Sequence, residues 1–304
     1  RRPGVPVICV GNLVVGGAGK TPATLLILER LAARGVAAHA ILRGYGSPAA
    51  AGPSRRVDPR ADAAAEVGDE PLLIAGFAPA WVGRDRAACA AAAEAAGAEA
   101  LVLDDGFQDP ALAKDLSLLV VDAETGFGNG FCLPAGPLRE PPVAGLARAD
   151  AALLIGPSAA RAARRAELGS TATLEAELRP REIGIDWRAE RVVAFAGIAR
   201  PEKFFATLRA LGAEVVATHG FPDHAPFEPR VLRRLANEAA RANARLVTTE
   251  KDAARLPRRF RGVALPLPVT LVPEDPAALD RLLDRAAPGN RLNSDRFPPR
   301  PPGD

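Results

Sequence analysis

Residues 5–22 read VPVICVGNLVVGGAGKTP, and this stretch decides the fold. An apolar, β-branched run breaks into glycines and ends in Gly19-Lys20-Thr21. Such an order describes a buried strand, a turn of small residues and a helix that starts at once. Glycines let backbone N–H groups converge on phosphate oxygens where a Cβ would clash, and the helix N-terminus adds its partial positive charge. Lys20 can reach the β- and γ-phosphates, and the Thr21 hydroxyl can ligate Mg²⁺. Pro22 is harmless in a first helical turn. The strict phosphate-loop pattern asks for glycine at position 14, where Val14 stands. The doubled glycine in Gly16-Gly17-Ala18-Gly19-Lys20-Thr21 is instead close to the deviant loops of one branch of P-loop proteins. A dinucleotide G-x-G-x-x-G pattern fails, because counting from Gly17 the third glycine position holds Pro22. The competing reading is a glycine-rich strand-to-helix turn that binds nothing.

Outward from this loop, short apolar runs alternate with helical stretches. A helix is expected over 22–34, a strand over 37–42, a helix from Asp69, an Ala-rich helix over 84–96, and strands over 100–103, 116–121 and 151–155. Continuous apolar strands separated by helices imply a parallel sheet covered on both faces. The expected fold class is α/β: a P-loop NTPase-like doubly wound parallel sheet with a second, smaller α/β domain. The expected division is 1–170 for the nucleotide-binding and catalytic domain, 171–182 for a linker, 183–287 for a smaller domain closing over the nucleotide, and 288–304 for a disordered, Pro-rich tail.

The chain has 304 residues, with 39 basic and 36 acidic ones, a balance that argues against a nucleic-acid partner. Its only lysines are Lys20, Lys114, Lys203 and Lys251. Among so many arginines, a retained Lys suits a phosphate contact that needs no rigid fork. Cys9, Cys89 and Cys132 show no CxxC spacing and read as thiols in a reducing compartment. No apolar run approaches the roughly 18 residues that cross a bilayer.

Candidate chemistry lies at the strand ends. The run at 100–103 leads into Asp104-Asp105-Gly106-Phe107-Gln108, an acidic strand end that can hold a metal beside Thr21. It also reads as a plain Asp-Gly turn. Asp69, in Gly68-Asp69-Glu70-Pro71, reads either as a catalytic carboxylate or as a helix cap. His224, in Phe221-Pro222-Asp223-His224-Ala225-Pro226-Phe227, reads either as a base near neutral pH or as a structural loop residue. Arg43-Gly44-Tyr45-Gly46 and the Gly/Pro loop 126–140 stand where substrate would dock.

VGNLVVGGAGKTP, RGYG, GDEP, DDGFQ, DAETGFGNGFCLPAGPLREP, FPDHAPF and TTEKDAARL together resemble the tetraacyldisaccharide 4'-kinases, the lipid A kinases of Gram-negative bacteria, over about residues 3–257. The resemblance implies transfer of the ATP γ-phosphate to the 4'-hydroxyl of a tetraacylated glucosamine disaccharide 1-phosphate, with Mg²⁺, by a peripheral protein at the cytoplasmic face of the inner membrane. It implies that Gly16, Gly17, Ala18, Gly19, Lys20 and Thr21 bind the nucleotide, joined by Thr249 and Lys251. It implies Thr21, Asp104, Asp105 and Glu140 at the metal, Asp69 with His224 as the acid–base dyad alongside Lys20, and Arg43, Tyr45 and Asn129 at the lipid's polar head. Two departures stand out. Asp109 replaces the family's usual histidine after DDGFQ, near the expected metal. The apolar N-terminal helix usual in the family is absent from these residues, so a truncated chain is expected. Two rivals remain: a regulatory P-loop NTPase of metallochaperone type, for which Thr249-Glu250-Lys251-Asp252 approximates a base-reading motif, and a nucleotide-binding module without chemistry.

Overall fold

The structure is a computed structural model that describes residues 1–287. The stretch 288–304, expected to be disordered, lies outside the described residues. In chain order the first elements are β1 (Val7–Gly11), α1 (Lys20–Ala33), β2 (Ala38–Leu42), β3 (Arg55–Arg56), α2 (Ala64–Val67), α3 (Asp69–Ala75) and β4 (Ala80–Val82). Then come α4 (Arg86–Ala95), β5 (Ala100–Asp104), β6 (Leu116–Asp122), α5 (Pro142–Leu146), β7 (Ala151–Ile155), α6 (Ser158–Arg164) and β8 (Thr173–Pro180). A second series follows: β9 (Arg191–Ala196), α7 (Pro201–Ala210), β10 (Glu214–Gly220), α8 (Pro229–Arg241), β11 (Arg245–Thr249), α9 (Glu250–Arg255) and β12 (Leu265–Leu267). The last elements are β13 (Val269–Pro273) and α10 (Pro276–Ala286).

Nine strands form the larger sheet in the order β13-β8-β7-β6-β1-β5-β2-β4-β3. It is parallel except at its edges, where β3 and β13 run antiparallel to their neighbours. The inner strands are buried throughout, which is why they read as unbroken apolar runs rather than as alternation. Ile8 and Val10 of β1 join Ile27 and Leu31 of α1 and Leu279 and Leu283 of α10 on one face. Val7 and Cys9 join Cys89, Ala90 and Ala93 of α4 on the other. The smaller sheet, β10-β9-β11-β12, is parallel and lies between Phe204, Phe205 and Leu208 of α7 and Leu232 and Leu235 of α8.

The chain passes between the sheets differently from the expected division. The stretch 171–182 carries β8, which pairs with β7 and with β13 as part of the larger sheet. Residues 269–286, expected in the smaller unit, return to the larger sheet as β13 and α10. Arg30 and Arg34 of α1 form ion pairs with Asp280 of α10. With β13 at the edge, β8 is the next strand in. Its partner lies about ninety positions downstream, out of reach of local pattern.

Parallel strands collect their carboxyl ends on one edge, and there the sites of such sheets form. Val10 of β1 stands beside Asp104 of β5 in register, so the glycine loop and the acidic strand end become neighbours. Helix α9 packs on α3 and brings the carboxyl ends of the smaller sheet over the same edge.

Candidate active site

The loop after β1 reaches α1 through Gly19, the helix N-cap, in a left-handed conformation (φ 90°). A Cβ there would be strained, and it would come within 2.9 Å of Ile155. Lys20 therefore begins the helix with its ammonium turned back over the loop. Its Nζ donates to Asn12 Oδ1 at 3.1 Å and lies 3.7 Å from Asp105. Asn12 is fully buried, and its amide also donates to Val14 O at 2.7 Å. Burial lowers the Lys20 pKa, while Asp105 and Asp104 act against that shift. Thr21, on the first turn of α1, makes no hydrogen bond with its hydroxyl among the described residues.

Asp104 is 5% exposed and accepts a hydrogen bond from the Thr24 hydroxyl at 3.0 Å through one oxygen. No protein donor among the described residues reaches the other oxygen. Burial pushes its pKa up to about 6, against the pull of Lys20. Asp105 sits in a left-handed conformation (φ 54°) and is gripped by both Arg139 nitrogens at 2.7 and 3.0 Å. Although burial opposes it, Lys20 and Arg139 hold its pKa below the ordinary carboxylate range. Asp104 and Asp105 thus differ in availability. Asp104 keeps one free oxygen, whereas Asp105 already neutralises two cations.

Glu140 does not join these carboxylates. Arg148 takes both its oxygens at 2.7 and 2.8 Å, and Gln108 donates to it at 2.9 Å. Asp109 is likewise already engaged. It accepts from Arg86 at 2.6 Å and from the Ala111 N–H at 2.8 Å. Arg86, 8% exposed, in turn donates to the Asp105 carbonyl at 2.9 Å.

A second cluster assembles Asp69, Glu70 and His224, whose donor atoms lie within 4.8 Å of one another. Asp69 opens α3 but makes no cap hydrogen bond with its side chain, so the cap reading fails. Instead, Asp69 Oδ2 lies 3.0 Å from His224 Nδ1 and 3.5 Å from Arg255 Nε. The His224 Nε2 faces Lys251 Nζ at 3.2 Å, and Lys251 pairs with Glu70 at 2.9 Å. An ammonium can only donate, so the network assigns the ring proton to Nδ1, where it is donated to Asp69. Burial raises the Asp69 pKa, and Arg255 and Lys251 work against it. Glu70 is also buried, yet Lys251 holds its pKa low. The charge of Glu70 is felt at Lys20 and Asp104, so both clusters share one electrostatic neighbourhood. The cations Lys251 and Arg255 already meet this cluster's negative charge. Lys251, expected at the nucleotide, therefore stands at the dyad. Thr249, likewise expected there, uses its hydroxyl to cap α9 and to donate to Asp252 at 2.7 Å.

Two loops rim the site. Gly44 (φ 68°) and Gly68 (φ 98°) pack back to back, and a Cβ on Gly68 would meet Gly44 Cα at 3.3 Å. This close approach sets Arg43 and Tyr45 beside the start of α3. Both are exposed, Tyr45 at 77%, and Arg43 forms no ion pair among the described residues. Asn129, expected at the polar head, is spent inside its own loop: it donates to Ala135 O at 3.0 Å and accepts from Phe131 N at 3.2 Å. That brace holds Phe131 and Leu133 outward at 62% and 57% exposure. The loop is tied to the glycine loop by the Val15 N–H, which donates to Pro137 O at 2.8 Å.

Asn12, Thr24, Arg139 and Arg255 escaped the sequence reading. Thr24 had a signal: it stands at i+3 from Thr21 on a helix whose first turn faces the acidic strand end. Asn12 is the polar break in an apolar run. Arg255 lies in TTEKDAARL, one turn past Asp252, but nothing local directs it towards Asp69.

Comparisons with known proteins point to one family. A sequence model of the family described as tetraacyldisaccharide-1-P 4'-kinase matches residues 1–287. The tetraacyldisaccharide 4'-kinase of Dinoroseobacter shibae is 56% identical over 292 residues, covering 95% of this chain and 86% of that protein. That of Rhodospirillum centenum is 57% identical over 280 residues, covering 92% and 82%. Among solved structures, LpxK from Aquifex aeolicus in complex with ATP superposes with a TM-score of 0.74 at 26% identity, covering 94% of this chain and 90% of that one.

Proposed function

This chain belongs to the tetraacyldisaccharide-1-P 4'-kinase family, and on that premise we propose that it transfers the γ-phosphate of ATP to the 4'-hydroxyl of a tetraacylated glucosamine disaccharide 1-phosphate in lipid A biosynthesis. The observation that carries the reading is the half-buried Asp69–His224 pair set in the electrostatic neighbourhood of Lys20. Transfer to a sugar hydroxyl needs a group to take that proton as the phosphoryl group arrives, and a carboxylate oriented by an imidazole supplies one.

In this reading the glycine loop, 16–19, cradles the phosphates with backbone N–H groups, and Lys20 places a fixed positive charge against the transferring oxygens. Asp69 accepts the hydroxyl proton. His224 donates to Asp69 through Nδ1 and orients it, while Lys251 holds the other ring nitrogen. The free oxygen of Asp104 and the unengaged Thr21 hydroxyl fit Mg²⁺: both are hard oxygen donors, and a buried carboxylate left half unpaired is stabilised by a cation. Bound there, Mg²⁺ would neutralise phosphate charge. Asp105 would join it only by giving up part of its grip on Arg139.

Arg43, without an ion pair among the described residues and near the start of α3, suits an anionic group of the lipid head. No helix among the described residues is long and apolar enough to cross a membrane. The braced pair Phe131 and Leu133 suits peripheral contact with the acyl region, and the need for ATP puts that contact on the cytoplasmic face of the bacterial inner membrane. The deciding experiment incubates γ-labelled ATP with a tetraacyl disaccharide lipid in mixed micelles. Label on the lipid is expected; label released only as phosphate, at a rate indifferent to lipid, would assign the NTPase reading instead.

A further inference from the structure

We infer that Arg255 is a positioning residue for the proton-transfer pair, its buried guanidinium fixing the Asp69 carboxylate and the loop that carries His224 in one geometry across the boundary between the two sheets. The inference rests on the kinase reading above. The Arg255 side chain is 4% exposed. One terminal nitrogen donates to the Gly197 carbonyl at 2.6 Å and to the Asp252 carboxylate, and the other to the Ala225 carbonyl at 3.3 Å. Its plane lies over the Phe227 ring, 5.1 Å from the centroid. Ala225 and Phe227 are the first and third residues after His224, whose own backbone is left-handed (φ 60°). Arg255 therefore grips the His224 loop at two points just past its strained residue.

The anchor itself is held. Asp252 is fully buried, and its second oxygen accepts from the Gly197 N–H at 3.0 Å and the Thr249 hydroxyl at 2.7 Å. One donor of the fork is left over. The Arg255 Nε is buried and makes no hydrogen bond among the described residues, and it lies 3.5 Å from Asp69 Oδ2. A buried charged donor without an acceptor is costly unless an anion stands opposite. Here the anion is the proposed base. Lysine could supply the charge but not the fork, since three donors on one atom cannot serve two carbonyls, an acid and a ring face together.

The titratable and charged groups facing Asp69 are Glu70 on its own helix, His224 on the loop after β10, and Lys251 and Arg255 on α9, with Asp223 3.5 Å behind Lys251. Of the cations, Arg255 most strongly favours the ionised carboxylate. Removing it therefore raises the Asp69 pKa, and the acid limb of kcat against pH moves to higher pH, since the base must be ionised to work.

The test compares the wild-type chain with Arg255→Lys, Arg255→Gln and Asp69→Asn, measuring kcat, both KM values, the pH profile of kcat and the melting temperature. Displacing a catalytic group by about 1 Å costs about 10²-fold in rate. Arg255→Lys should lose kcat on that scale with the ATP KM unchanged, and Arg255→Gln should also move the acid limb upward. Unaltered kcat per folded molecule with an unmoved acid limb, whatever the melting temperature, would overturn the inference and leave Arg255 a structural residue. Should Arg255→Gln fail to fold, the charge-retaining Arg255→Lys decides through kcat alone. Asp69→Asn separates the two levels: if it keeps normal turnover the base assignment falls and the inference with it, whereas loss there beside normal Arg255 variants defeats only the inference.

Discussion

Asn12, Lys20, Thr21 and Thr24 reach the proposed phosphate site from one loop and one helix, within residues 12–24. Asp69 and His224 meet across 155 positions and depend on Glu70, Lys251 and Arg255 from two sheets to hold them. The nucleotide end is thus built by local geometry: the glycine loop folds wherever β1 and α1 fold. The acid–base end exists only where α3 and α9 are packed together. The first end should tolerate changes in how the two sheets sit, and the second should not. An enzyme so divided can bind nucleotide without being competent to move the proton.

The sharpest way to break this comparison is at the acid–base end. Asp69→Asn should lower kcat by about 10²–10⁴-fold, the usual share of a positioned base, while the ATP KM stays near wild type; the melting temperature should fall modestly, because the buried Arg255 guanidinium loses the anion opposite it. A large rise in ATP KM would mean that the two ends are not separable.

At the nucleotide end, Lys20→Ala should cost about 10²–10³-fold in turnover, the scale measured for one lost donor to a developing charge. Here ATP affinity should fall as well, since in the proposed reading Lys20 faces the phosphates in ground and transition states alike. Near-normal turnover by the folded variant would end the phosphate-loop assignment.

The same division explains what the sequence disclosed. The glycine loop, the acidic strand end and the parallel core were readable because each is a short-range pattern: a break in an apolar run, a carboxylate at a strand end, unbroken burial on two faces. Asp69 and His224 were readable only as residue types with two meanings, because whether a carboxylate at a helix start is a cap or a base depends on what packs opposite. Their pairing came from resemblance, and the structure brings them to 3.0 Å. Lys251 and Thr249 show the limit. Their motif promised the nucleotide, yet the fold turns Lys251 to His224 and spends Thr249 on Asp252. Residues 269–286 were assigned to the smaller unit because sequence order suggested it, whereas the strand that receives β13 lies far upstream.

A smaller effect sharpens where the nucleotide end stops. Asp109, expected near the metal, is tied to Arg86 and to the Ala111 N–H. Asp109→His should leave that buried guanidinium short of its partner and cost about 1–3 kcal/mol of stability, seen as a lower denaturation midpoint. The Mg²⁺ concentration for half-maximal activity should not move. A shifted Mg²⁺ titration would bring position 109 back within reach of the metal.

The smallest effect falls on the rim, which belongs to neither end. Asn129 closes its loop with two hydrogen bonds, to Ala135 O and from Phe131 N, and touches no other element through its side chain among the described residues. Loss of such bonds at an exposed site is worth about 0.5–1.5 kcal/mol each, so Asn129→Ala should loosen the loop without unfolding the protein. If the loop works by holding Phe131 and Leu133 towards acyl chains, only the bond to Phe131 N bears directly on it, so the change should appear as a rise of about tenfold at most in the apparent KM for lipid, since 1.4 kcal/mol is one decade. The ATP KM and the pH profile of kcat should be untouched, because Lys20 and Asp69 keep all their partners. Weaker partitioning into vesicles should accompany it, and Phe131→Ser should reproduce both effects while leaving the brace in place. Were Asn129 instead a direct ligand of the sugar head, Asn129→Ala would raise the lipid KM as much in detergent-dispersed monomers as on vesicles, and Phe131→Ser would not follow it.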